Sequence, residues 1–372
     1  MSKRLVVCCD GTWNTPDEQR HGKLSPTNVT KTALAVAPTD PSDMEQRVFY
    51  HRGVGTSPGE HLFGGMFGYG LGRDVRDTYR FLVQNFEQGD ELFFFGFSRG
   101  AYTARSTVGF VRNAGILRPE NADRINDAYD LYRDRSSTSH PRGIEATLFR
   151  SSYSYETRIR FIGVWDTVGA YGIPVTGVPF AKVFNKRLEF HDTNLSSYVD
   201  SAFQALAIDE QRDPFRPTLW TEQDHTLDHQ QVEQVWFSGV HSNIGGGYPD
   251  HELSDIPLLW MVDRARGCGL AFSPGAFSIG TSGSAPVPDV ATMPERTSVH
   301  PNPLGLLENS RTGFYRLIDR YRRPIGLNDP SNEYVASTAV ERRDDAPDYV
   351  PPRLVAYLKG SHQVMPIGIE QK

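Results

Sequence analysis

Residues 91–95, Glu-Leu-Phe-Phe-Phe, form a nearly continuous apolar run, which is typical of a β-strand that is buried on both faces. The run continues directly into Gly96-Phe97-Ser98-Arg99-Gly100, and a helical pattern follows over about 101–111. Parallel strands must be joined by a crossover that is usually helical. A buried strand, a tight turn and a helix in this order therefore predict one unit of a parallel sheet.

The same alternation recurs along the chain. Further strands are predicted over 4–9, 46–51, 158–164 and 234–240, and further helices over 27–37, 73–86, 195–208 and 255–266. Alternating strands and helices with short connections favour an α/β fold. We expect a mostly parallel sheet with helices on both faces and with helical or irregular insertions.

The composition changes near residue 270, beyond which the chain is rich in Pro and Ser and has weak periodicity. We therefore expect a catalytic domain over residues 1–270, with insertions at about 115–158 and 171–230. Residues 271–372 are expected to form an extension that packs on this domain and has no core of its own.

The bulk composition excludes several classes of protein. A chain of 372 residues with 38% hydrophobic residues and a net charge of −6 fits a globular protein and offers no basic stripe for nucleic acid. The first apolar run ends at Cys9, which is too short for a signal peptide, and no run reaches the roughly 20 residues of a membrane span. Three cysteines, two of them adjacent, fit a reducing compartment. We expect a cytoplasmic protein, unless a specialised secretion system exports it.

Four predicted strands each end in a short polar motif. These motifs are Asp10-Gly11-Thr12, Ser98, Asp166 and His241. In an open parallel sheet, ligands bind outside the carboxyl ends of the strands. The four motifs are therefore expected to meet at one edge of the sheet.

Ser98 is the candidate nucleophile. A nucleophilic serine must be held out of the sheet on a sharp strand-to-helix turn, and the flanking Gly96 and Gly100 allow that turn. The backbone N–H of Arg99 then points at the developing oxyanion, and the N-terminus of the helix adds its partial positive charge. The alternative is an ordinary glycine-flanked turn in which the serine only caps the helix.

His241 is the candidate base, because it closes a predicted strand and opens the glycine loop at 245–247. His191 and His251 are weaker substitutes, and a purely structural histidine is the alternative. Asp166 ends another strand and gives the order Ser, Asp, His along the chain, which the α/β-hydrolase fold requires. The rival acids are Asp209 and Asp255.

Two further sets of residues complete the predicted site. The N–H of Gly11 or Thr12 is a candidate for the second oxyanion donor, with an Asx-type turn braced by Asp10 as the alternative. The loop over 61–72 is rich in glycine and aromatic residues. Its Phe63, Phe67 and Tyr69 are candidates for an acyl pocket, with burial in the core as the alternative.

Five motifs in order resemble one protein family. They are CDGTWN at 9–14, GFSRGAYTAR at 96–105, GVWDTVG at 163–169, ALAIDEQRDPFRPTLW at 205–220 and GVHSNIGGGY at 239–248. Together they resemble the DUF2235 family, which is similar to the catalytic domain of the first class of type VI secretion lipase effectors. The resemblance covers about residues 3–265 and implies an α/β-hydrolase fold with esterase or phospholipase activity, carried by Ser98, Asp166 and His241.

The chain departs from that family at two points. Many members have Asp where this chain has Asn243, and effector members often carry a membrane-associating region after the hydrolase domain. Here about 100 residues follow the similar region, without an evident amphipathic or apolar segment.

The resulting hypothesis is hydrolysis of a small-molecule or lipid ester through an acyl-enzyme, without a cofactor or metal ion. Peripheral contact with a membrane is compatible with it. One alternative is a metal-dependent hydrolase that uses Asp10, Asp166 and His241 as ligands. The other is a catalytically inactive module that keeps the hydrolase fold for binding.

Overall fold

Eight parallel strands form one sheet in the computed structural model, which describes residues 2–11, 19–20, 22–53, 67–169, 195–221, 230–279, 296–317, 319–327, 332–360 and 363–368. The strands are β1 (Arg4–Cys9), β2 (Gln46–His51), β3 (Glu91–Phe97), β4 (Ile159–Trp165), β5 (Val199–Ala207), β6 (Gln231–Phe237), β7 (Glu333–Ala336) and β8 (Val364–Met365). Their order is β8-β7-β6-β5-β4-β3-β1-β2, and every neighbouring pair is parallel. The predicted α/β fold with a mostly parallel sheet is confirmed.

Helices cover both faces of this sheet. They are α1 (Asn28–Ala35), α2 (Phe67–Asn85), α3 (Arg99–Ala114), α4 (Ile125–Arg133), α5 (Ile144–Tyr153), α6 (His241–Gly245), α7 (Glu252–Gly267), α8 (Ser337–Asp345) and α9 (Pro352–Lys359). Successive side chains of a strand point to opposite faces. Val6 and Cys8 accordingly pack in one core with α1 and α7, and Leu5 and Val7 pack in the other with α2 and α3.

Shorter elements complete the described part of the chain. Two small antiparallel ribbons pair Gln19–Arg20 with Lys23–Leu24, and Ile116–Leu117 with Ser154–Tyr155. Turns of 3₁₀-helix span Pro119–Arg124, Asp213–Phe215 and Gly313–Leu317. Within the described residues, no helix is long and apolar enough to cross a membrane.

The strand order reverses next to β1. The chain passes from β1 to β2 on one side, and then crosses to β3 on the other side of β1. A crevice forms outside the carboxyl ends of parallel strands where the order reverses in this way, and it is the usual ligand site of such sheets. Asp10 follows β1 and Ser98 follows β3, so both residues border this crevice.

One predicted element is wrong, and another begins at a different residue. The helix expected over 195–208 is strand β5, which pairs with β4 and β6 in the middle of the sheet and is buried along nearly its whole length. A strand that is buried on both faces does not need alternating apolar and polar residues, so its pattern cannot be distinguished from that of a buried helix. The helix predicted from about Arg73 begins at Phe67, six residues earlier, and buried Leu71 belongs to its apolar stripe.

Candidate active site

Ser98 occupies a sharp turn between β3 and α3. Its backbone has φ 58° and ψ −120°, a left-handed conformation that is strained for any residue except glycine. Ser98 is the residue before the first turn of α3, yet its side chain makes no capping hydrogen bond to that helix, all of which is described. The alternative of a serine that only caps the helix is therefore not supported by this geometry.

The two flanking glycines are required by close backbone packing. A Cβ atom on Gly96 would lie 2.6 Å from the Cα of Ala101, within the turn itself. A Cβ on Gly100 would overlap the carbonyl oxygens of Cys9 and Asp10, at the end of β1. The missing side chain at residue 100 thus allows α3 to begin directly against the neighbouring strand.

Gly100→Ala is expected to destabilise the protein by about 3 kcal/mol or more, because the added methyl group meets backbone atoms that cannot rotate away. Gly267→Ala is the matched control, since a Cβ at that position of α7 meets no atom within 4 Å. The free energies of unfolding are measured by chemical denaturation. Equal stability of the two variants would show that the turn is not packed as described.

Asp166 and His241 are brought together from positions that are 75 residues apart. Asp166 follows β4 and is fully buried, and its Oδ2 lies 2.6 Å from Nδ1 of His241. His241 begins α6, four residues after β6, and is only 4% exposed. The N–H of Ala207, at the end of β5, donates to the other carboxylate oxygen at 3.1 Å.

The imidazole of His241 lies beside the Ser98 turn. Its ring centroid is 4.7 Å from that of Phe97, the residue before Ser98, and Phe215 contacts it edge-on at 4.9 Å. Gly245 permits this packing, because a Cβ there would overlap the Phe97 ring. The loop that carries His241 is therefore pressed directly onto the end of β3.

Backbone strain is concentrated at these residues. Four non-glycine residues of the described chain have positive φ, namely Asp43, Ser98, Asp166 and Phe277. Two of the four are the candidate nucleophile and the candidate acid, with φ 58° and 40°. Strained conformations persist where the surrounding structure enforces them, and they cluster at functional sites.

The buried pair has a defined charge state. Burial alone would raise the pKa of Asp166, but the Arg323 guanidinium and the hydrogen bond from His241 outweigh it and hold that pKa at about 2. Burial lowers the pKa of His241 below its usual 6.5, and Asp166 offsets part of that effect. Near neutral pH the carboxylate is thus ionised and the imidazole is neutral. Since an ionised carboxylate only accepts hydrogen bonds, Nδ1 carries the proton and Nε2 can act as a base.

The lowered pKa of His241 predicts the pH dependence of a reaction that uses it as the base. The neutral imidazole is the active form, so the midpoint at which kcat/KM falls on the acid side should lie below pH 6.5. The measurement is ester turnover from about pH 4 to about pH 8, with the released acid quantified by chromatography and folding followed by circular dichroism. A midpoint above pH 6.5 in the folded protein would contradict this assignment.

The ion pair of Asp166 with Arg323 was not found from the sequence. Arg323 is 2% exposed, and its two terminal nitrogens donate to the two carboxylate oxygens of Asp166 at 2.8 and 2.9 Å. It lies 157 residues from Asp166, in the C-terminal extension, where the sequence showed only an interrupted basic cluster. No local pattern indicates such a contact.

Residues of the motif at 205–220 contact the backbone just before and at His241. Asp209 accepts a hydrogen bond from the Gly239 N–H at 2.8 Å, and Glu210 accepts one from the His241 N–H at 3.3 Å. Arg212 forms an ion pair with Glu210 at 2.8 Å and lies over the ring of Phe215. The sequence marked this motif through the family resemblance and through Asp209 as a rival acid, and the structure places the motif against His241.

The backbone N–H groups predicted as oxyanion donors lie in different surroundings. The Arg99 N–H stands at the first turn of α3, next to Ser98. The Gly11 N–H instead donates to Oδ1 of Asp10 at 2.7 Å, so Gly11 is not the free donor that the sequence predicted. Asp10 is fully hydrogen-bonded because hydroxyl groups of Thr27, Thr30 and Tyr50 also bind it, at 2.6 to 2.9 Å. Thr12 lies outside the described residues.

Two of the three residues predicted to line an acyl pocket belong to helix α2. Phe63 lies outside the described residues. Phe67 and Tyr69 fall in the first turn of α2, in helix and not in the expected loop, and the description there extends to the backbone only.

One of the two rival acids and one of the rival bases form a separate pair. Oδ2 of Asp255 lies 2.5 Å from Nδ1 of His251, and Oδ1 binds the buried Lys31 ammonium at 2.7 Å. This cluster joins α1 to the beginning of α7, whereas Asp166 and His241 lie at the ends of sheet strands. The other rival base, His191, lies outside the described residues.

The carboxylates proposed as metal ligands already have partners. Hydroxyl groups and a backbone N–H surround Asp10, and Arg323 with His241 surround Asp166. Among the described residues, no group of three His, Cys, Asp or Glu side chains is arranged to hold a metal ion.

Comparison with known proteins places this chain in a family. A relative in Saccharomyces cerevisiae, an uncharacterised protein, is 28% identical over 241 residues, which cover 59% of this chain and 33% of the yeast protein. An uncharacterised Pseudomonas aeruginosa protein of known crystal structure is 18% identical with a TM-score of 0.46, and covers 73% of this chain and 46% of its own. A structure of the Tle1 effector bound to the VgrG spike of the type VI secretion system is 21% identical with a TM-score of 0.35, and covers 67% of this chain and 51% of its own. This chain therefore spans about half or less of the length of these proteins.

The family model for the Tle1-like phospholipase effector catalytic domain of type VI secretion matches residues 3–264. The matched region contains the described strands β1 to β6 together with Ser98, Asp166 and His241. Since the match extends over most of the 372 residues, the chain belongs to the family of Tle1-like catalytic domains of type VI secretion phospholipase effectors.

Proposed function

We propose that this protein is a serine hydrolase that cleaves carboxylic esters of lipids, most specifically phospholipids, through an acyl-enzyme. The 2.6 Å hydrogen bond between buried Asp166 and His241, beside a serine held in a strained strand-to-helix turn, is the observation that carries the proposal. Membership of a family described by phospholipase effectors supports a lipid ester as the substrate. The same description supports export by a type VI secretion system and peripheral contact with a membrane.

The proposed mechanism assigns one step to each residue. Ser98 Oγ attacks the ester carbonyl while His241 Nε2 takes its proton, and Asp166 keeps the imidazole in the required tautomer. The Arg99 N–H, with Thr12 as second donor, stabilises the oxyanion. The protonated histidine then gives its proton to the leaving alcohol, and a water molecule activated by the same histidine hydrolyses the acyl-enzyme.

We also propose that residues 1–270 form the catalytic domain, and that residues 271–372 belong to the same structural unit. Strands β7 and β8 support the second point, because they extend the sheet beyond β6. Within the predicted insertion at 171–230, Val199–Ala207 is strand β5 of the central sheet.

The test uses a fluorophosphonate probe together with a panel of p-nitrophenyl esters and phospholipids. We expect the probe to label the peptide that contains Ser98, turnover of one or more lipid esters, and no effect of a chelator. Ser98→Ala should abolish both labelling and turnover. Loss of activity on chelation would favour a metal-dependent hydrolase, and a folded protein that is neither labelled nor active would favour a binding module.

A further inference from the structure

Arg323 lies outside the region that matches the family, yet it makes the closest charged contact of the proposed catalytic acid. The family match ends at residue 264, and Arg323 follows 59 residues later, in the C-terminal extension. Its guanidinium meets Asp166 with two parallel hydrogen bonds of 2.8 and 2.9 Å. Two-armed contacts of this kind fix the plane of a carboxylate as well as neutralise its charge.

The extension holds Arg323 in place through its backbone. The Tyr321 N–H donates to the carbonyl of Gln211 at 2.9 Å, and Arg320 forms an isolated antiparallel bridge with Arg212. Nε of Arg323 is 3.4 Å from the carbonyl oxygen of Glu210. Arg323 is thus anchored on the motif at 205–220, which also surrounds His241.

The two carboxylate oxygens of Asp166 each take part in two hydrogen bonds. Oδ1 accepts from Ala207 and Arg323, and Oδ2 accepts from His241 and Arg323. With the side chain fully buried, none of these donors can be replaced by bulk water. If Arg323 were absent, the carboxylate would keep one backbone donor and the imidazole, and it could rotate out of line with Nδ1.

We propose that Arg323 is a positioning residue for the catalytic acid, so that the C-terminal extension completes the active site. This inference rests on the proposed function, in which Asp166 serves His241. Arg323 does not touch the substrate in this proposal. It holds Asp166 ionised and in plane, so that the carboxylate orients the imidazole, and its positive charge favours the neutral form of His241.

The charges around Asp166 and His241 determine whether removal of Arg323 raises or lowers the pH at which this pair takes up a proton. The groups that face Asp166 and His241 are Arg323, Glu210 and Arg212, and Glu210 is already paired with Arg212. With a neutral imidazole, two carboxylates and two guanidinium groups give a net charge of zero. Removal of Arg323 leaves one negative charge in excess, which attracts a proton to the pair. The pH at which the pair takes up its proton should therefore rise.

The experiment compares three variants of the full chain. Arg323→Gln removes the positive charge. Arg323→Lys keeps the charge but cannot donate the two parallel hydrogen bonds of a guanidinium group. Arg342→Gln is the matched control, because Arg342 is a similarly buried arginine of the extension whose bonds go to the carbonyls of Pro303 and Gly305. The main readout is the titration of the His241 ring by NMR of protein with ¹⁵N-labelled histidine. Its signal is assigned, among eleven histidines, by its loss in His241→Gln.

We expect Arg323→Gln to raise the midpoint of the His241 titration by about one pH unit or more, and to move the acid limb of kcat/KM in the same direction. Arg323→Lys should keep the wild-type midpoint and lose roughly tenfold in turnover. Arg342→Gln should change neither the midpoint nor the limb. An unshifted midpoint in Arg323→Gln, or an equal shift in Arg342→Gln, would overturn the inference. If the wild-type protein shows no turnover, the proposed function fails, and the NMR titration alone still decides whether Arg323 controls the pair.

Discussion

Ser98→Ala is expected to reduce lipid ester turnover on the order of 10⁶-fold, to the level that binding and the oxyanion donors alone can support. The reason is chemical, since an alanine leaves His241 with no hydroxyl group to activate. The fold should persist, because the Ser98 side chain makes no hydrogen bond that caps α3. The measurements are initial rates on the best substrate of the panel, together with thermal unfolding of both proteins.

Ser98→Gly distinguishes chemistry from backbone strain at the same position. Glycine adopts φ 58°, ψ −120° without the penalty of a side chain, so this variant should be inactive yet more stable than the wild type, by about 1 kcal/mol. Ser106→Ala, which changes a buried serine two turns further along α3, is the control and should keep full turnover. Substantial turnover by Ser98→Ala would move the nucleophile to another residue.

Asp166→Asn is expected to lower turnover by up to about 10⁴-fold, because an amide can stabilise the wrong tautomer of His241. It should also destabilise the protein by about 3–5 kcal/mol, since the buried Arg323 loses the carboxylate that neutralises it. The two effects have separate readouts, kcat at a temperature where the variant is folded and the free energy of unfolding from denaturant titration.

Asp255→Asn is a closely matched control for this substitution. Asp255 is also fully buried, hydrogen-bonded to a histidine and paired with a buried cation, Lys31. Its replacement should therefore cost a similar amount of stability, while turnover of the folded protein stays near that of the wild type. If Asp255→Asn loses turnover and Asp166→Asn does not, the acid of the site has been assigned to the wrong cluster.

The positions of Ser98, Asp166 and His241 could be predicted because each follows an apolar strand, and the ends of parallel strands meet at one edge of a sheet. Strand β5 could not, because a strand buried on both faces lacks the alternation that distinguishes it from a helix. For the Gly11 N–H the sequence left two roles open, an oxyanion donor or part of an Asx-type turn braced by Asp10, and only the folded loop shows that the Asp10 carboxylate accepts it.

The sequence by itself determined the local geometry of this protein. The buried strand, the glycine-flanked turn and the helix after it follow from steric limits and apolar patterns that act over a few residues. The tertiary structure alone decided which charges stabilise the site. It brings Arg323 from 157 residues away onto Asp166, and it places the motif at 205–220 around His241. Such contacts depend on the order of strands in the sheet and on the path of the chain between them, and no local pattern in the sequence records either.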